Sequence, residues 1–143
     1  VVDLGRLGRK NGKGYYEYPA DGAPKFLWPG LAEHFPRAAA QPSAAEVRER
    51  LLYRQLIECA RCYEEGVLTA PEDGDIGAIF GWGFAPWTGG PFSHMDTLGI
   101  SNVVEVLNRL TQTQGERFAP TAQLRSMATS DERFYDTAKK AAA

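Results

Sequence analysis

The feature that most constrains the fold is residues 73–99, DGDIGAIFGWGFAPWTGGPFSHMDTLG, where glycine, proline and large aromatic residues are interleaved. Glycine suits positive φ or close backbone approach, proline stops a helix, and aromatic side chains bury large areas. We therefore predict a shaped, packed connection in which Trp82 and Trp87 are buried and Gly81 and Gly83 have positive φ. The alternative is an acyl or sugar pocket walled by the two tryptophans.

From residue 43 onward the apolar residues recur at helical spacing. Ser43 and Glu46 form a capping-box pattern, which predicts the start of a long helix. Gly66 is predicted to end it in a Schellman motif, with Val67 making the accompanying apolar contact. The predicted apolar face of this helix consists of Val47, Leu51, Leu52, Leu56, Cys59, Ala60 and Tyr63.

Shorter helices are predicted beyond it. Thr69 and Glu72 form a second capping-box pattern, with Pro71 in the first turn, where a missing N–H costs nothing. The predicted helices run from Pro71 to Phe80, from Phe92 to Leu98, from Ser101 to before Gly115, and onward from Pro120. Their predicted core residues are Val103, Val104, Leu107, Leu110, Leu124 and Met127.

Residues 1–42 have a different pattern. Asn11-Gly12 predicts a hairpin turn, and residues 19–42, rich in proline, predict an irregular strap. We expect the strap to be pinned by Phe26, Leu27, Trp28, Leu31 and Phe35. The basic residues Arg6, Arg9, Lys10 and Lys13 could bind phosphate, but no helix N-terminus follows them to complete an anion site. An exposed basic turn is the preferred interpretation.

The cysteines and histidines do not form a recognisable reactive or metal site. Cys59 and Cys62 have C-x-x-C spacing, but they lie inside the longest predicted helix, whereas redox pairs use a helix N-terminus. A zinc site needs four ligands, and His34 and His94 are far apart in the sequence. We predict buried, unreactive thiols.

The acidic residues also have structural interpretations. Glu72, Asp73 and Asp75 are predicted to complement the dipole at the start of a helix and not to bind a metal. His94 and Asp96 are two residues apart, so they point in different directions on a helix. We predict no catalytic, cofactor-binding or metal-binding residue in this chain.

Three segments together resemble the C-terminal domain of the 3-hydroxyacyl-CoA dehydrogenase family. They are GWGFAPWTGGPFSHMDTLG at 81–99, GRLGRKNGKGYYEY at 5–18 and EVRERLLYRQLIECARCYEEGVL at 46–68. The resemblance is greatest to the long bacterial multifunctional fatty-acid β-oxidation proteins. Ala85 departs from the pattern, since relatives usually carry a second proline there.

The resemblance implies a mainly α domain with the fold of the C-terminal domain of 6-phosphogluconate dehydrogenase and an irregular, hairpin-containing N-terminal strap. Residues 1–18 would be a remnant of the preceding C-terminal repeat, followed by the strap at 19–42. Residues 43–138 would form the second C-terminal repeat, and residues 139–143 a tail.

The resemblance further implies a parent enzyme that oxidises 3-hydroxyacyl-CoA to 3-ketoacyl-CoA with NAD and is fused to an enoyl-CoA hydratase. The family's catalytic asparagine lies in an Asn-Arg pair, and this chain has Glu49-Arg50 at the like position. A dinucleotide fingerprint needs a third glycine after a strand, but Pro86 follows Gly81 and Gly83 at that position. We therefore expect an inactive structural domain for packing and subunit contact, with NAD bound only elsewhere in the parent.

The implied partners are the preceding repeat and the Rossmann domain of the parent chain. Whether a thiolase subunit is a further partner is left open by the sequence. We also expect a homodimer, because the long helix is apolar over more than one stripe. The net charge of −2 gives no reason to expect nucleic acid. No apolar run approaches the roughly 20 residues of a membrane span, and a cytoplasmic setting is expected. The alternative function is a stand-alone helical protein-interaction module. The sequence does not determine the acyl chain-length preference of the parent or whether the basic turn contacts CoA phosphates.

Overall fold

In the computed structural model, which describes residues 1–135, the chain forms two compact units, residues 1–42 and the residues from Ser43 onward. The predicted mainly α fold class is confirmed. The predicted repeat end at 138 and the tail at 139–143 lie outside the described residues. The helices are α1 (Leu31–His34), α2 (Ala44–Glu64), α3 (Pro71–Trp82), α4 (Pro91–Leu98), α5 (Ile100–Gln114) and α6 (Ala122–Ser130).

The first unit reverses direction at Asn11-Gly12, as predicted, but through a 3-10 turn and not a two-residue hairpin turn. The turn spans Arg9–Asn11 and ends at Gly12, whose φ of 74° is left-handed. The Asn11 side chain explains the difference, because it accepts a hydrogen bond from the backbone N–H of Leu7 (3.2 Å) and donates one to the carbonyl of Gly5 (2.8 Å). These two hydrogen bonds connect the turn to Gly5 and Leu7, which precede it in the chain.

The segment expected to be an irregular strap contains two regular elements. Strand β1 (Tyr16–Glu17) pairs antiparallel with β2 (Phe26–Leu27), and α1 follows. The expected pinning by Phe26, Leu27 and Phe35 is wrong, since each is more than half exposed. Pairing with β1 satisfies the backbone of β2 without burying its side chains.

Arg6 lies at the centre of this unit. Its Nε donates to the carbonyl of Gly14 (2.8 Å), and its Nη2 forms an ion pair with Glu17 (2.8 Å). Its guanidinium also stacks over the Trp28 ring, 4.0 Å from the centroid. Arg6 is therefore buried and neutralised, and only the other basic residues of the predicted turn, Arg9, Lys10 and Lys13, are exposed.

The ends of α2 follow the sequence signals. Ser43 Oγ accepts from the N–H of Glu46, whose carboxylate accepts from the N–H of Ser43, so the predicted capping box is confirmed. At the other end Gly66 has a φ of 72°. The N–H groups of Gly66 and Val67 donate to the carbonyls of Tyr63 and Cys62, which is the Schellman pattern. The Val67 side chain, however, is exposed.

The predicted apolar face of α2 is correct only in its later turns. Leu56 and Ala60 are buried, but Val47 and Leu51 are exposed. The reason is tertiary, since within the helical unit no described element covers Val47 and Leu51.

Helix α3 begins at Pro71, as predicted, but the Thr69–Glu72 capping box is wrong. Ala70 is the N-cap and provides no side-chain hydrogen bond. Pro71 lacks an N–H, so one fewer donor needs a cap. The helix runs to Trp82, two residues past the predicted end, and stops at Gly83, which has a φ of 78°.

The core lies where α2, α3 and α5 surround α4, with α6 packed on α5. At its centre Tyr63, Phe92 and Phe134 contact one another edge to face, with ring centroids 4.8–5.8 Å apart. The predicted core residues Val103, Leu107, Leu110, Leu124 and Met127 are buried, and Val104 is partly buried. The helix predicted to start at Ser101 begins at Ile100, and the one predicted from Pro120 begins at Ala122.

Candidate functional site

The most connected polar side chain is Asp75, which is 3% exposed. Its Oδ1 accepts from the N–H of Phe92 (2.7 Å), and its Oδ2 accepts from the N–H (3.0 Å) and the Oγ (2.6 Å) of Ser93. Gly90 makes this approach possible, because it has a φ of 112° and a Cβ there would lie 2.5 Å from the Asp75 carboxyl. Asp75 therefore caps α4 across the fold.

This arrangement corrects the interpretation of the acidic group. Glu72 and Asp73 lie in the first turn of α3, as predicted. Asp75 serves the N-terminus of α4 instead of that of its own helix. The position of Asp75 in the sequence is the available signal. On a helix it lies close to the side of Gly74 and Ala78, and the structure buries all three residues.

The end of the described chain joins the same network. The Tyr135 hydroxyl donates to Oδ2 of Asp75 (2.7 Å). Burial, with the neighbouring Asp75 carboxylate as a further cause, raises the pKa of Tyr135 to about 12. Asp96 accepts from the N–H groups of Phe134 (3.0 Å) and Tyr135 (3.3 Å), so it serves this segment and not His94. The network holds helices together and has the chemistry of a structural cap.

Trp82 and Trp87 are not the buried plugs that the sequence predicted. Trp82 is 58% exposed and Trp87 is 86% exposed. The Nε1–H of Trp82 donates to Oε1 of Gln55 (3.3 Å). The gap between helices is filled by Phe84 and Phe92, which are buried. Because Trp87 lies in the 3-10 turn Pro86–Thr88, on the outside of the connection, its ring points away from the core.

The glycines of this segment were also only partly predicted. Gly83 has a positive φ, whereas Gly81 is an ordinary residue of α3, where an added Cβ would meet no atom within 4 Å. The residues of 81–86 therefore do not fit a dinucleotide, because a fingerprint needs a strand-to-helix turn and Gly81 lies within a helix.

Cys59 and Cys62 differ in exposure. Cys59 is buried, and burial raises its pKa to about 12. Cys62 is only partly buried, so the prediction of two buried thiols is half correct. Within residues 1–135 no group of three or more His, Cys, Asp and Glu side chains is placed to hold a metal ion.

Glu49 and Arg50, which the resemblance aligns with the family's Asn-Arg pair, lie in α2. Glu49 pairs with Arg109 of α5 (2.7 Å), and Arg50 approaches Glu46 (3.8 Å). Both side chains therefore take part in ion pairs within the helical unit.

An apolar groove of about 760 Å³ separates α2 from α3, which both pack on α4. Small and apolar side chains line it, with Arg54 near one end and Asp73 near the other. The lining includes Cys59, Cys62, Leu68, Gly77, Gly81 and Trp82. Sequence reasoning did not find this groove, because its two walls are about 20 residues apart in the chain.

The comparisons with known proteins show what the chain is similar to. The chain is 46% identical over 134 residues to the fatty acid oxidation complex subunit alpha of Shewanella loihica, an alignment covering 92% of this chain. It is 44% identical to the subunits of the same name from Shewanella oneidensis, over 133 residues, and Shewanella amazonensis, over 138 residues. The chain is homologous to part of this alpha subunit. The resemblance in its sequence motifs is thereby confirmed.

The match covers nearly all of this chain but only a small part of each relative. The chain spans 19% of the length of each of these three relatives and 91–92% of itself is aligned. No protein-family model matches the chain. Among the residues that the structure describes, no helix is long and apolar enough to cross a membrane.

Proposed function

We propose that this chain is a non-catalytic packing domain of a fatty-acid β-oxidation enzyme, equivalent to the second C-terminal repeat of its dehydrogenase part. The observation that carries the proposal is the 46% identity to a fatty acid oxidation complex subunit alpha over nearly the whole chain. The parent activity is the NAD-dependent oxidation of 3-hydroxyacyl-CoA to 3-ketoacyl-CoA, with an enoyl-CoA hydratase fused to it.

The geometry supports a packing role. Asp75 accepts hydrogen bonds from backbone N–H groups at the start of α4, and Asp96 accepts them from the N–H groups of Phe134 and Tyr135. Glu49 is paired with Arg109. The titratable side chains of the site thus fix helices in place.

The proposed partners are those of a multidomain parent. They are the preceding C-terminal repeat, the NAD-binding Rossmann domain, a second copy of the subunit and a thiolase subunit. The proposed setting is the cytoplasm. No substrate or cofactor atom is assigned to a residue of this chain.

The test is an activity and binding assay on the purified 143-residue chain. Incubated with NAD and 3-hydroxybutyryl-CoA, it should give no NADH absorbance above a buffer blank, and calorimetry should detect no NAD binding. The reason is that the chain supplies neither a dinucleotide fingerprint nor a positioned base. The full-length Shewanella loihica subunit is the comparison under the same conditions. NADH production by the isolated chain would refute the non-catalytic role.

A further inference from the structure

Two thiols lie on one wall of the groove between α2 and α3. Cys59 and Cys62, the two cysteines of the chain, are three residues apart in α2, and residues at that spacing share one side of a helix. Both side chains line the groove, and both are free thiols. Cys59 is buried and Cys62 is partly exposed, so the pair is reached from solvent at Cys62.

The other wall of the groove is made of small residues. Gly77, Ala78 and Gly81 of α3 line it. A Cβ added at Gly77 or Gly81 would meet no atom within 4 Å. The groove of about 760 Å³ therefore has space for a bound ion beside the two sulfurs.

The spacing of the two cysteines suits a bridging metal ion better than a disulfide. Cβ atoms of residues three apart on a helix are roughly 5–6 Å from each other, whereas a disulfide brings them to about 3.5–4.5 Å. Two metal–thiolate bonds of about 2.3 Å, the length that zinc forms, let the sulfurs lie up to roughly 4.6 Å apart. An ion between the sulfurs therefore leaves this turn of α2 intact, while an S–S bond would distort it.

The available ligands also select the ion. Thiolates prefer soft ions such as Cu(I) and Zn²⁺. A structural zinc site needs four protein ligands, and within residues 1–135 no third His, Cys, Asp or Glu joins the two cysteines in a metal-holding group. Two thiolates satisfy Cu(I). The raised pKa of Cys59 keeps it a neutral thiol without a metal, but a thiol that coordinates a metal ion is deprotonated outright.

We propose that Cys59 and Cys62 form a two-thiolate site for Cu(I), reached through the groove between α2 and α3. Each thiol releases its proton to water and forms one bond to the ion, and no electron is transferred. The site gives a chemical role to the C-x-x-C pair, which the packing role leaves unexplained. It is independent of the dehydrogenase activity proposed for the parent.

The experiment titrates the reduced full chain with Cu(I), without oxygen and in competition with the coloured chelator bicinchoninate. One Cu(I) per chain should bind, with sulfur-to-copper charge-transfer absorbance in the near ultraviolet. Cys62→Ala should remove this absorbance and weaken binding by more than about 100-fold, the upper effect of losing a group that only orients a metal ligand. Val67→Ala is the matched control, because Val67 lines the same groove and is 71% exposed but carries no thiol.

Cys59→Ala tests the buried ligand and should weaken binding as much as Cys62→Ala does. Circular dichroism checks the fold of each variant, and Cys62→Ala decides the question if Cys59→Ala does not fold. Failure to compete with the chelator, or unchanged binding by Cys62→Ala, would overturn the proposal.

Two further measurements separate the proposed site from its alternatives. Light scattering of the loaded chain should give the mass of one chain, and one Cu(I) shared between two chains would contradict the pairing of Cys59 with Cys62. Thiol counting after exposure to air without metal should still find both thiols. Loss of both thiols in a chain of unchanged mass would show a disulfide and would overturn the argument from spacing.

Discussion

Asp75 caps a helix to which it does not belong. Its carboxylate receives two backbone N–H groups at the start of α4, the Ser93 hydroxyl and the Tyr135 hydroxyl. The first N–H groups of a helix have no partner within it, and a buried donor left unpaired is costly. One side chain thus joins α3, α4 and the last described residues.

Asp75→Ala should lower the free energy of unfolding by at least about 3 kcal/mol, because it leaves several buried donors without a partner. Asp73→Ala is the control on the same helix. Asp73 is exposed in the first turn, so its loss removes only a dipole interaction of about 0.3–1 kcal/mol. Urea unfolding followed by circular dichroism measures both. Equal effects of the two substitutions would show that Asp75 is not the cap that holds α4.

At the scale of one helix, α3 uses the same residue type in two ways. Gly74 faces the core, where a Cβ would collide with the ring of Phe92. Gly77 faces open space, and nothing in the described chain lies within 4 Å of a Cβ there. The first glycine is required by packing inside the fold, whereas the second is not.

Alanine substitutions separate these two roles. Gly74→Ala should destabilise the protein by about 1–3 kcal/mol, as overpacking does. Gly77→Ala should stabilise the folded monomer by about 0.5–1 kcal/mol, because alanine favours helix. Thermal melts at low protein concentration give both signs. A loss of stability from Gly77→Ala would mean that the space around Gly77 is occupied and not open.

The helix ends were predictable because their signals are local. The Ser43–Glu46 box, Gly66, Pro71 and Gly115 each act within a few residues of the chain, and each lies at or next to a helix end. Burial was less predictable, since it depends on what packs above a residue. Trp82, Trp87 and Leu51 are apolar and well placed by pattern, yet they are exposed.

The same limit applies to the candidate site. Asp75 and Ser93 are 18 residues apart, and the two walls of the groove come from different helices. The similarity to the fatty acid oxidation complex subunit alpha, by contrast, was predictable, because the motifs at 5–18, 46–68 and 81–99 are contiguous runs. Local sequence indicated the lineage and the helix ends, while long-range contacts determined the site.

At the scale of the whole molecule, the free energy of unfolding depends on pH through the groups whose pKa changes on folding. Burial lowers the pKa of His94 from its ordinary value of 6.5. Other described groups have pKa shifts outside the neutral range: the pKa of Glu46 is lowered from 4.5, and those of Tyr53, Cys59, Tyr135 and Arg109 are raised. Of these groups, only His94 has an ordinary pKa near neutrality.

The sign of the effect follows from proton binding. Since the folded pKa of His94 lies below the unfolded one, the unfolded state takes up its proton first as the pH falls. The free energy of unfolding should therefore be greatest above pH 6.5, decrease as the pH falls through that value, and level off for this group below its folded pKa. His94→Gln removes the titrating group, so the decrease between pH 7.5 and 5.5 should be smaller in the variant than in the parent. Urea unfolding at a series of pH values measures this difference. Identical pH profiles for the two proteins would show that burial of His94 does not contribute to the pH dependence of the free energy of unfolding.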